Sequence, residues 1–350
     1  MKMNNPNNLR STDVLIQGID ISEQSLRTLD DELLRIMLID RTTRKNILWA
    51  TTDYADLGNE FSEFAEITPD IITNKFAGLI QPRVTKSINS QSDRTRTKAE
   101  VFTPSWLCNR QNNLIDEQWF RRTEVFNIES EFGWTTIKQP IDFSASGKSW
   151  QKYVDTPRLE VSCGEAPYLV SRYDTVSGEN IPLMNRIGLL DRKMRVIREN
   201  AISASEWLKW SQRAFESVYG FEYQGDSLLL ARENLLYTYI EYYVDWFREM
   251  PDVDQLRKIA RIISWNIWQM DGLKFVVPGS CKPEELYQLS IFNYIDMSDS
   301  ETPVESQLAC PGCLKNDIYA HTGIYCKIMD WRSNSSQTYI SMLKGGAHHG

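Results

Sequence analysis

Between residues 159 and 275, short apolar runs alternate with longer stretches of helical spacing, and this alternation leaves few architectures open. Arg158-Leu159-Glu160-Val161-Ser162 reads as a strand ending in a glycine turn. Arg186-Ile187-Gly188-Leu189-Leu190-Asp191 reads as a second strand ending in an acid, with a helix near Arg192–Asn200 behind it. A further helix is expected from Ser203 to Val218, a third strand from Tyr223 to Asp226, and a long aromatic-rich helix over Ala231–Met250. Ala260–Trp268 suits a strand or a helix. The pattern predicts an α/β protein with a parallel sheet flanked by helices, a design that binds ligands beyond the carboxyl ends of its strands.

On either side the pattern changes. Residues 1–20 are polar and read as a loose arm, and the apolar positions from Ser22 to Asp40 recur at helical spacing. Asn46–Ala50 is a short apolar run that suits a strand or a buried turn. Residues 82–98 are polar and carry Arg83, Lys86, Arg94, Arg96 and Lys98, the composition of a solvated loop or of a loop that touches phosphate. The formal charge of 39 − 47 = −8 rules out a chain that holds nucleic acid through overall basicity, so any such contact needs a local patch. No signal-like leader and no membrane-length apolar run is present, and the six cysteines are too few for a disulfide scaffold. The expectation is a soluble cytoplasmic protein with no membrane partner. Three units are expected: a helical region over 1–95, the α/β domain over 96–300 and a C-terminal segment over 301–350.

Leu159-Glu160-Val161-Ser162-Cys163-Gly164-Glu165-Ala166-Pro167-Tyr168 is the most informative stretch. A strand ends in small residues, glycine permits a close backbone approach to a ligand, and a following helix would offer N–H groups. Asp191, at the end of the next expected strand, suits a ribose hydroxyl, and Asp226, at the end of the third, suits an adenine amine. Upstream lies Glu100-Val101-Phe102-Thr103-Pro104-Ser105-Trp106-Leu107.

Taken in order, these segments resemble the adenine-specific, S-adenosylmethionine-dependent DNA methyltransferases of restriction–modification systems, and more narrowly the proteins called restriction endonuclease subunit M. The resemblance implies a Rossmann-like class I methyltransferase sheet, with DNA as substrate and a restriction or specificity subunit as partner. It implies that Phe102, Thr103 and Pro104 line the cofactor pocket, that Glu160 and Gly164 hold the methionine end, and that Asp191 and Asp226 hold ribose and adenine. The family's acceptor motif, Asn/Asp-Pro-Pro-aromatic, is missing, because no two of the thirteen prolines are adjacent. That motif draws hydrogens from an exocyclic amine whose lone pair is delocalised, and it stacks the flipped base. Ile263–Asp271 is its positional substitute, with Asn266 as acceptor and Trp268 or Trp265 stacking.

Cys310-Pro311-Gly312-Cys313, His321 and Cys326 have the spacing C-x2-C-x7-H-x4-C, which suits a closed structural Zn²⁺ site, while Cys108, Cys163 and Cys281 read as buried small apolar residues. A redox C-x-x-C is the competing reading of the first pair. Only 350 − 326 = 24 residues follow Cys326, so a target-recognition domain is expected to come from a partner or from the metal segment. Two other functions compete: a catalytically inactive methyltransferase-fold scaffold that keeps the zinc, and methyl transfer to RNA or protein.

Overall fold

The computed structural model describes residues 22–86, 103–283 and 309–346. Phe102 and the basic positions Arg94, Arg96 and Lys98 lie outside the described residues. The protein is a mixed α/β structure with several small sheets. Single turns aside, its elements in order are α1 (Glu23–Leu29), α2 (Asp31–Leu38), α3 (Ser105–Phe120), β1 (Asn127–Ser130), β2 (Gly133–Thr136), α4 (Trp150–Asp155) and β3 (Arg158–Val161). There follow α5 (Leu189–Asn200), α6 (Ala204–Glu216), β4 (Val218–Glu222), α7 (Gly225–Phe247), α8 (Val253–Asn266), β5 (Ile267–Gln269), α9 (Pro311–Lys315), β6 (Lys327–Asp330), β7 (Ser335–Thr338) and α10 (Tyr339–Gly346).

The central sheet has three parallel strands in the order β3-β4-β5. Arg158 lies opposite Val218, and Gly220 opposite Ile267. Helices α5 and α6 connect β3 to β4, and α7 and α8 connect β4 to β5. β1–β2 and β6–β7 are separate antiparallel hairpins. No helix among the described residues is long and apolar enough to cross a membrane.

Local chemistry explains the boundaries. Ser203 caps α6 by accepting from the Glu206 N–H, and the Glu206 carboxylate accepts from Ile202, a variant of the reciprocal serine–glutamate cap. Asp252 caps α8 by accepting from the Gln255 N–H. Most of α7 is buried, as expected of a helix apolar on nearly every face. Its one fully buried guanidinium, Arg232, donates to the carbonyls of Met37, Ile39, Ser264 and Ile267, tying the end of α2 to the start of β5. Arg192 of α5 is equally buried and bonds Asp116, Asn109 and Asn113 of α3. Leaving such a charge unpaired costs several kcal/mol, so these networks fix helix positions.

Three sequence expectations change. Residues 186–191 are not a strand: α5 starts at Leu189, and the Leu189 and Leu190 N–H groups donate to the carbonyls of Tyr168 and Leu169. Gly188 is required there, because a Cβ would lie 2.3 Å from the Leu169 carbonyl oxygen. The strand expected at Tyr223–Asp226 lies earlier, at Val218–Glu222, and Ala260–Trp268 divides into the end of α8 and the start of β5. The C-terminal part packs on the sheet: Phe221, Trp268, Met270, Val277, Cys326 and Ile328 form a second apolar cluster beside the main core.

Candidate functional site

Two places in this fold concentrate chemistry: the loop at the carboxyl end of β3, and a thiol–imidazole group beyond β5. In the first, Ser162, Gly164 and Ala166 all have left-handed backbone, with φ of 50°, 52° and 63°. Two of the three carry a Cβ, which makes the conformation costly. Among the described residues no atom lies within 4 Å of where a Cβ on Gly164 would stand, which leaves space over this glycine. The Gly164 N–H donates to Glu222 at 2.8 Å, and the second oxygen of Glu222 accepts from Tyr223 and Gln224. Glu160 is buried beneath the loop, where its carboxyl group accepts from the N–H groups of Tyr168 and Leu169. Burial pushes its pKa up to about 8, against the lowering effect of those two donors. Burial also raises Glu222, opposed by its three backbone donors.

The residues predicted to bind the cofactor divide around this loop. Glu160 and Gly164 are part of it. Thr103 and Pro104 are half-buried at the start of α3, where the Thr103 carbonyl accepts from the Thr175 hydroxyl. Asp191 is not at a strand end. It is fully buried in the first turn of α5 and accepts from the N–H and hydroxyl of Ser171, with its pKa raised by burial to about 6. Asp226 is buried in the first turn of α7, bonded to the Tyr54 hydroxyl at 2.8 Å and close to Lys86. The acid that does end the second strand is Glu222, which the sequence reading missed by placing that strand four residues late. No helix follows the glycine turn directly.

Asn266 and Trp268, expected from the sequence to act as acceptor and stacking ring, are both buried. Asn266 ends α8 at the amino end of β5, away from the strand ends where ligands collect. Its amide donates to the carbonyls of Phe215 and Val218, and its oxygen accepts from the Trp331 indole. Trp268 is buried in mid-strand against Phe221 and Tyr339. Both are held by packing and hydrogen bonds in this structure.

The second place is a Cys3His group, and its members are Cys281, Cys310, Cys313 and His321. Their ligand atoms all lie within 4.8 Å of one another. The three sulfurs stand 3.6, 3.6 and 3.7 Å from His321 Nδ1. A tetrahedral Zn²⁺ with its usual bond lengths sets sulfur and nitrogen ligands about 3.5 Å apart, so the group could bind one metal ion and is consistent with zinc. The surroundings are built to the same measure. A Cβ on Gly312 would lie 2.6 Å from the His321 nitrogen, and one on Gly323 would lie 3.0 Å from the Cys281 sulfur. The Thr322 N–H donates to Cys310 Sγ at 3.2 Å, a second layer of support for a thiolate ligand. Burial raises the Cys281 thiol to about 12. At Cys310 burial acts the same way, but donors from Thr322, Cys313 and His321 together outweigh it and bring the thiol down to about 5.

Cys326 is corrected: it does not belong to this group. It is fully buried in the second apolar cluster, its thiol directed to the Gln269 carbonyl at 3.3 Å. Cys281 takes its place because residues 276–282 run beside 322–326. Val276 bridges Tyr325, Val277 donates to Ile324, and Lys282 and Thr322 bond each other twice. The only signal in the sequence is Cys281 itself, set in a Gly-Ser-Cys-Lys-Pro turn. Comparison with protein-family models, with curated proteins and with solved structures finds no match to this chain.

Proposed function

We propose that this protein is an S-adenosylmethionine-dependent methyltransferase of the DNA-adenine class that holds its cofactor at the carboxyl ends of β3 and β4 and carries a structural zinc. The observation that carries this reading is the Ser162–Ala166 loop, with three left-handed residues and, among the described residues, space over Gly164 at the end of a parallel strand. The residues fit such a cofactor in two respects. A glycine lets the ligand approach the main chain, and an acid ends the neighbouring strand. In this reading the Gly164 region holds the methionine end, Glu222 accepts from ribose in place of Asp191, and Glu160 braces the loop from below through Tyr168 and Leu169. When bound, the sulfonium supplies the methyl group. The Cys3His group is closed by four protein ligands and leaves no position for a reacting water, so its role is structural. DNA as substrate, a restriction or specificity subunit as partner, and a cytoplasmic setting follow from the resemblance in sequence.

The burial of Asn266 and Trp268 favours a second reading, a cofactor-binding scaffold without methyl transfer. Calorimetry with S-adenosylmethionine on folded, zinc-replete protein tests the first half of the proposal. We expect saturable binding that weakens about tenfold or more in Glu222→Gln, the scale of a lost charged hydrogen bond. Absence of binding would refute the cofactor reading. Binding without methyl transfer to DNA, RNA or protein would select the scaffold.

A further inference from the structure

The segment that follows β5 joins the carboxyl end of β4 to the Cys3His group. Met270, the first residue beyond the strand, donates its N–H to the Glu222 carbonyl at the end of β4. A turn comes next. The Asp271 carboxylate accepts from the N–H groups of Leu273 and Lys274, and the Asp271 carbonyl accepts from Phe275. A Cβ on Gly272 would stand 2.8 Å from the Phe221 ring, so this turn lies directly on β4. Phe275 then has left-handed backbone, with φ of 62°. A bulky residue adopts that conformation only where the surrounding structure holds it there. On the far side the chain runs through Val276 and Val277, beside residues 324–326, to Cys281. Residues 270–281 are therefore a strap, tied at one end to β4 and at the other to the Cys3His group.

The strap reaches further through Gln269, the last residue of β5. The Cys326 N–H donates to the Phe275 carbonyl, and the Cys326 thiol to the Gln269 carbonyl. The Gln269 side chain donates to the carbonyls of Leu48 and Tyr223 and accepts from the Leu48 N–H. Trp49, the next residue, accepts from the Gly225 N–H at the start of α7. The ends of β4 and β5, residues 48–49 and the first turn of α7 thus form one hydrogen-bonded unit, and the strap is its outer tie. Lys282 and Ser280 bond Thr322 and Ile324 at exposed positions, where each bond contributes little. An ion held by four ligands outweighs them. We infer that metal occupancy of the Cys3His group regulates ligand binding at the carboxyl ends of β4 and β5, by holding the strap and with it the turn against Phe221. The inference rests on the proposed function for the identity of its two ligands, S-adenosylmethionine and zinc. Two sites that bias one such element are coupled reciprocally, so each ligand changes the other's affinity by the same factor.

The test compares the full chain loaded with zinc and stripped by a chelator. In hydrogen exchange the Met270, Asp271 and Phe275 amides are expected to speed up about tenfold or more on stripping, while α5 and the β3–β4 pairing keep their protection. Cys281→Ala in excess zinc, where the ion stays on Cys310, Cys313 and His321 but the strap is freed, is expected to do the same. In calorimetry both samples are expected to bind S-adenosylmethionine about tenfold more weakly than the loaded parent. Saturating S-adenosylmethionine is expected to raise zinc affinity by the same factor in chelator competition. Unchanged exchange over 270–275, or equal S-adenosylmethionine affinity with and without zinc, would overturn the inference. So would loss of protection throughout the chain in both samples, which would make the ion a support of the whole fold. A loaded protein that binds no S-adenosylmethionine refutes the cofactor reading instead, and the exchange result then decides the coupling by itself.

Discussion

Replacing Cys281 by serine separates the Cys3His group of the structure from the ligand set that sequence spacing suggests. Cys281 supplies one of four ligands in a group whose sulfur–nitrogen separations of 3.6 to 3.7 Å match a tetrahedral ion. Structural zinc sites bind with about 10–16 kcal/mol, so one ligand in four is worth about 3 kcal/mol, or about a hundredfold in affinity. Cys326→Ser removes a buried thiol that lies beside the Gln269 carbonyl and touches no member of the group. Its cost is a polar substitution in an apolar cluster, about 1 kcal/mol of stability, with metal affinity unchanged. The assay is a competitive chelator titration on each purified variant, with metal content per chain by mass spectrometry. Cys281→Ser is expected to release metal at about a hundredfold lower chelator strength than the parent, while Cys326→Ser holds it as the parent does. Retention in Cys281→Ser together with loss in Cys326→Ser would refute the geometry. A parent protein that takes up no zinc at all would refute the centre.

Gly312→Ala is expected to weaken metal binding with all four ligands intact, because the new methyl would meet the His321 backbone and ring at 2.6 and 2.7 Å; the same titration measures it. Asn266→Ala is expected to destabilise the fold by about 2–4 kcal/mol in urea unfolding, since it strands two carbonyls and an indole N–H in the interior. It is expected to leave S-adenosylmethionine affinity unchanged, and a selective loss of ligand binding at full stability would restore a direct role. Glu160 gives a pH signature. Its folded pKa, raised to about 8 from 4.5, means that the folded state holds the proton more tightly, so this group's contribution to stability falls as pH rises from 4.5 through 8. Between pH 5 and pH 8 the parent is expected to lose about 3 kcal/mol relative to Glu160→Gln in parallel urea titrations. A pH-independent difference would contradict a protonated buried carboxyl.

What could be read in the sequence was local. Ser203 followed by Glu206 announces the start of α6, and the apolar run with a glycine turn at 159–164 announces β3, because caps and turns depend on near neighbours. The C-x2-C pair and His321 were legible for the same reason. The misses are tertiary. Ile187 to Asp191 has the look of a strand ending in an acid, but its first amides are needed as donors to Tyr168 and Leu169, which only the folded loop supplies. Cys326 is the nearest further thiol along the chain. Cys281 is the nearer one in space, because the segment that carries it pairs with residues 322–326. Asn266 and Trp268 combine an amide with an aromatic ring, as an acceptor site would, but they stand at the amino end and in the middle of a strand, where the fold gives them interior partners.

The joining of Cys281 to Cys310 has a consequence for how such a chain can change. The two residues are separated by 310 − 281 − 1 = 28 positions, yet their sulfurs meet in one group. A clasp of this kind fixes the two ends of a loop whatever its length. Closing a loop twice as long costs only about 0.6 kcal/mol more, a small part of what a bound ion contributes. A metal held by Cys281 and Cys310 would therefore keep the segments that carry them together at little added cost if the number of residues between them changed.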